Sequence, residues 1–204
     1  MSSNITDVVQ VTISRDLQVP STAGFGTAAF ISADTTHTTV VVYNDLATLQ
    51  ADDTAAGADT VAFAVDYWGQ GVKPTKLTLI PDGLGSDLPE TLDLAVDDTN
   101  DWYVVAASSD TAADIVAISG WVDDNKGSNP KLYFVQTDDP NTLDSSDATD
   151  PASVEMAAQA DRSSVWYKAD GDQVVAGILG KCLPTVPGSI TWSDKNLVGI
   201  TPDK

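Results

Sequence analysis

Residues 102–137 read WYVVAASSDTAADIVAISGWVDDNKGSNPKLYFVQT, and the order of patterns in this stretch decides the fold. The first part, 102-WYVVAAS-108, is a short apolar run of β-formers and reads as a buried strand. Next, 111-TAADIVAISGWVDDN-125 puts Ile115, Ile118 and Trp121 or Val122 on one helical face. The turn 127-GSNP-130 then leads into a second strand, 131-KLYFVQT-137. A strand, a helix and a strand in succession build a parallel sheet covered by helices.

The same alternation continues toward the C-terminus. An acidic loop, 138-DDPNTLDSSDATDP-151, precedes a helix at 152-ASVEMAAQ-159. Strand 163-SSVWYKA-169, turn 170-DGD-172 and helix 173-QVVAGILGKCL-183 follow. Three prolines mark the tail 184–204, which reads as extended chain with one short strand.

Toward the N-terminus, 76-KLTLI-80 is a strand closed by 81-PDG-83, while residues 84–98 carry no decisive period. The helix 58-ADTVAFAVDYWG-69 sets Val61, Ala64, Val65 and Trp68 on its inner face. Residues 38-TTVVVY-43 are strand-like, and Asn44 or Asp45 caps a short helix over 45–51. Residues 27-TAAFIS-32 read as a buried strand. Further out, 8-VVQVTIS-14 alternates, with Val9, Val11 and Ile13 on one face. The expected fold is therefore α/β: a largely parallel or mixed sheet flanked by helices, with an extended N-terminal arm. Residues 1–22 form the arm, 23–183 the core domain, and 184–204 an extended C-terminal segment.

Composition narrows the function. Of 30 acidic residues 28 are Asp, against 10 basic ones, and the formal net charge is −20. Such a field repels nucleic acid and anionic membranes, because phosphate binding needs clustered Lys and Arg. Asp in place of Glu fits capped helices and tight turns. The same balance suits either a saline environment, where salt screens self-repulsion, or an ordinary solvated acidic surface. Runs such as 61-VAFAV-65 and 174-VVAGIL-179 are far too short to span a bilayer. MSSNITDVVQ has neither a basic nor an apolar signal region, so no secretory signal is expected. Cys182 is the only cysteine, which excludes an internal disulfide and points to a small buried hydrophobe in a reducing compartment.

Chemistry-bearing motifs are few. Gly24, Gly26 and Ala29 in 23-AGFGTAAF-30 match the spacing of a dinucleotide loop, and Asp45 follows at a suitable distance. Against this nucleotide-binding enzyme reading, the glycines lead into strand and not helix. The other reading is a tight bend before a buried strand. His37 is the only histidine and has no nucleophile elbow to serve. Residues 123-DDNKGSNPKLYF-134 begin like a calcium loop but fail at its glycine and at its last position, Phe134. The loop from Asp138 to Asp150 reads as a solvated acidic loop sooner than a calcium site. Arg15 and Arg162, the only arginines, are expected to pair with carboxylates. Trp68, Trp102, Trp121, Trp166 and Trp192 mostly fall on core faces. No catalytic residue, cofactor or metal is expected.

Five collinear blocks carry a likeness. They are 13-ISRDLQVPSTAGFGTAAFI-31, 67-YWGQGVKPTKLTLI-80, residues 102–127, 131-KLYFVQTDDPN-141 and 177-GILGKCLPTVPGSITWSDKNLVGITPD-203. In that order they resemble the contractile-tail sheath proteins of tailed phages. The resemblance implies a structural subunit, not an enzyme, that polymerises as stacked rings around an inner tail tube and contracts to drive genome delivery. It implies as partners further copies of the chain, the tube protein, and baseplate and tail terminator proteins. Neither nucleic acid contact nor membrane insertion is implied. The location would be the virion tail, assembled in the host cytoplasm. Val9, Val11 and Ile13 would belong to an arm adding a strand to a neighbour, and Gly24 and Gly26 to the hinge between arm and core. Family members usually continue into a further domain after the Thr-Pro-Asp segment, whereas this sequence ends at Lys204, as a compact, cleaved or truncated version would.

Overall fold

In a computed structural model the described residues are 26–33, 37–52, 57–170, 172–185, 191–193 and 195–201. Val9, Val11, Ile13, Arg15 and Gly24 lie outside them. The elements run β1 (Ala28–Ser32), β2 (Val41–Tyr43), α1 (Leu46–Ala51), α2 (Ala58–Trp68), β3 (Leu77–Pro81), α3 (Leu88–Asp98), β4 (Val104–Ala107), α4 (Ala112–Asp124), β5 (Leu132–Thr137), α5 (Pro151–Ala158), β6 (Ser163–Tyr167) and α6 (Val174–Cys182). The fold is α/β, with one six-stranded mixed sheet in the order β2-β3-β1-β4-β5-β6.

All neighbouring strands pair in parallel except the edge strand β2, which runs antiparallel to β3. At the centre lies β1, Ala28 pairing with Leu77 on one side and Val104 on the other. All five of its residues are buried, as a strand covered on both faces requires. One face carries Ala28, Phe30, Leu77 and Leu79 against α2 and α6; the other carries Ala29, Ile31, Val105 and Tyr133 against α3 and α4. No helix among the described residues is long and apolar enough to cross a membrane.

Local chemistry explains most boundaries. Asp45, Asp87, Thr111 and Asp150 sit extended at helix N-caps and accept backbone N–H bonds, the role that favours Asp over Glu. Residues 84–98, undecided in the sequence, contain α3. Its signal was the pair Asp87 and Glu90: the Asp87 carboxylate accepts Glu90 N at 2.9 Å, and Glu90 Oε2 reaches back to Ser86 N at 2.7 Å.

The expected face of α2 needs correction. Phe63, Ala64, Tyr67 and Trp68 are buried, Val61 is half-buried, and Val65 is 41 % exposed. Phe63 stacks on Phe30 with ring centroids 4.3 Å apart. The aromatic pair at i, i+4 outweighs the valines because it removes more apolar surface from water. Trp68, Trp102 and Trp121 are buried; Trp166 and Trp192 are half-buried and both stack on Phe134.

The described part of the tail lies on the core. Gln70, 1 % exposed, exchanges two hydrogen bonds with the backbone of Val198, each 3.1 Å. Leu197 and Ile200 come up against Gly177 of α6, and Thr201 N donates to Asp172 Oδ2 at 2.7 Å.

Candidate functional site

The chain passes from β1 outward to β3 and then back across β1 to β4, so the winding direction reverses between β1 and β4. Open α/β sheets bind ligands outside the carboxyl ends of their strands at such a reversal. A cleft of about 630 Å³ lies there, bounded by Ile31 in β1, Ala33 just after it, Asp82 after β3 and Ser108 after β4. Its apolar part is Ile31, Leu88, Pro89 and Ile118; its carboxylates are Asp59, Asp82, Asp87 and Asp114. An adjoining cleft of about 250 Å³ adds Asp110, Asp138 and Asp170.

Several of these groups are already committed. Asp114 accepts from Thr111 Oγ1 at 2.8 Å and from Ser109 Oγ, and Asp87 caps α3. Thr137 Oγ1 donates to Asp110 at 2.8 Å, and Gln136 bridges Asp172 O and Val175 N. Lys168 is paired with Asp170 at 2.7 Å. None of the described residues bounding either cleft is basic, so the site repels phosphate and favours a cationic group beside an apolar one.

The residues singled out in the sequence do not converge on this cleft. Gly26 stands at the amino end of β1, the opposite end of the sheet, where a Cβ would meet Leu183 O at 3.4 Å. Ala29 is inside β1, paired with Thr78 and Val105. Asp45 caps α1, accepting Thr48 N at 2.8 Å. Glycine turn, helix start and ribose acid, which a dinucleotide loop brings together, are here on separate elements. His37 Nε2 lies 3.5 Å from both Tyr43 Oη and Asp52 Oδ2. Cys182 is buried, and burial raises its thiol above the usual range. Arg162 Nη1 donates to the backbone carbonyl of Lys131 at 3.0 Å.

Carboxylates of the acidic loop turn inward on their own backbone. Asp139 accepts from Asn141 N, Asp144 from Ser146 N, Asp147 from Thr149 N, and Asp150 from Ala152 N and Ser153 N, at 2.7 to 3.1 Å. Each makes a small side-chain turn. Hydrogen bonds from Ser146 to Asp144, and from Thr149 to Asp147, hold those two carboxyls below the ordinary range. The stretch 123–134 is divided between the end of α4, a turn and β5. Among the described residues, no three His, Cys, Asp or Glu side chains are grouped so as to hold a metal ion.

What sequence reasoning missed is the cleft itself, because Asp59 at the start of α2, Asp82 after β3, Asp87 at the cap of α3 and Asp114 at the start of α4 come from separate elements. Only the strand order brings them together. A comparison with protein families finds no matching family, and a comparison with curated proteins finds no match.

Proposed function

We propose that this chain is a structural subunit of a contractile tail sheath, polymerising as stacked rings around a tail tube. The observation that carries this reading is the collinear set of blocks from residue 13 to residue 203. Two of those blocks also meet in space. Tyr67 and Gln70 of the second lie against Gly180 and Val198 of the last. A sheet covered on both faces leaves strand ends, loops and edges for contacts between copies, which suits a lattice subunit. On this reading the partners are further copies, the tube protein, and baseplate and terminator proteins, and the protein resides in the virion tail after assembly in the host cytoplasm.

Negative-stain microscopy of the purified protein over a concentration and salt series tests the proposal. Rings or helical tubes are the expected result. A chain that stays monomeric throughout would overturn it.

A further inference from the structure

Charge is distributed unevenly along the strand direction. Loops and helix starts at the carboxyl ends of the parallel strands carry Asp59, Asp82, Asp87, Asp110, Asp114 and Asp138 around the two clefts. Among the described residues, the one lysine just beyond a strand's carboxyl end, Lys168, is held by Asp170. Lys73, Lys76, Lys126, Lys131 and Arg162 all precede strands, and so lie at the amino ends. The five-residue strands separate the two ends by about 16 Å of backbone alone.

One turn at the amino end combines two features the cleft lacks. The segment 71-GVKP-74 joins α2 to β3 and exposes Lys73 beside Val72, which is 51 % exposed. Nothing among the described residues stands within 4 Å of a Cβ built at Gly71. A valine and an ammonium on adjacent residues match a cleft with apolar walls and a carboxylate rim. Asp59 and Asp82 on that rim are exposed.

We propose that the Val72–Lys73 turn of one copy seats in the Asp59–Asp82–Leu88 cleft of the next. The choice of a second copy as occupant rests on the tail-sheath reading. The two surfaces lie at opposite ends of the sheet, so the contact is heterologous: each copy offers the turn at one end and the cleft at the other. Repetition gives a ring if the rotation closes and a helix if it does not. The pair also supplies a local attraction within a chain whose formal charge of −20 otherwise drives copies apart.

Sedimentation velocity of the full chain across a concentration series, at fixed ionic strength, reads the association. Lys73→Glu and Asp82→Lys should each weaken it by about tenfold, since each places like charges in contact. The double variant K73E/D82K reverses the pair and should regain most of the loss. Both positions are exposed, and unchanged melting temperatures check that folding is intact. Wild-type protein that assembles while the single variants assemble equally well, or a double variant no better than the singles, overturns this contact and leaves the tail-sheath reading standing. Wild-type protein that stays monomeric at every concentration overturns both.

Discussion

Gly180 of α6 lies directly against the main chain of Tyr67 in α2: a Cβ at residue 180 would stand 2.0 Å from the Tyr67 carbonyl oxygen. The two helices touch backbone to backbone, and only a residue without a side chain permits it. Gly180→Ala should therefore force them apart and destabilise the protein by roughly 3 kcal/mol, read as a lowered urea midpoint. An alanine variant as stable as wild type would contradict this close approach.

Gln70 holds the chain near Val198 as a strand neighbour would, one amide giving and taking a backbone hydrogen bond. Gln70→Leu keeps the bulk and removes both bonds. Hydrogen exchange at residues 195–201 should accelerate at least tenfold while exchange in β1 stays unchanged. Equal protection of the tail in both proteins would show that Leu197 and Ile200, with the Thr201–Asp172 and Lys181–Asn196 hydrogen bonds, hold it without Gln70.

Glu155 is buried, and neither carboxylate oxygen closes a hydrogen bond. Burial raises its proton affinity, Asp123 adds to the effect, and the neighbouring Ser163 and Ser119 hydroxyls counter it in part. Folded protein therefore keeps this proton to higher pH than unfolded chain. Its contribution to stability is full below the ordinary Glu range and is lost as pH rises through the raised value. Glu155→Gln should stabilise the protein at pH 7 by about 1 kcal/mol and remove that part of the pH slope. A less stable glutamine variant at pH 7 would mean that the ionised carboxylate is held in place after all.

Lys131 presents the opposite sign. Its ammonium sits 4.1 Å from the centre of the Trp102 ring, donating to Asn100 Oδ1 and to the Trp102 carbonyl. Burial lowers its pKa to about 8, with Asp101 opposing. Unfolded chain then binds more protons above that pH, so stability rises as pH increases from about 8 toward the ordinary lysine range. Between that point and about pH 9.5, below most tyrosine titration, the gain should be on the order of 1 kcal/mol. Cys182→Ala is the proper background, because the raised thiol pulls the other way. Lys131→Met should flatten the slope; a slope that survives the substitution would assign it elsewhere.

Most of the fold was legible in the sequence because it rests on short-range signals. The β4–α4–β5 unit follows from uninterrupted apolar runs and the spacing of Ile115, Ile118 and Trp121. Asp45 announces α1 through its capping chemistry. Where several apolar sets compete on one helix, as in α2, tertiary contacts decide, and Phe30 selected Phe63 over Val65. In α3 the cap was present, but Pro89 and the acids among its apolar positions obscured the period. The cleft was illegible for a different reason: no sequence spacing records that β4 lies beside β1, and its carboxylates share a neighbourhood only through that pairing.

The central position of β1 has a kinetic consequence. Its two partners, β3 and β4, are joined to it at Leu77 and Val104, long after Ala28 in the chain. During synthesis β1 therefore waits, apolar on both faces, until residues beyond Ala107 have left the ribosome. Pairings so distant slow folding and lengthen the exposure of a sticky segment. The order of manufacture thus sets the protein's period of greatest vulnerability to aggregation, before its central strand has both of its partners.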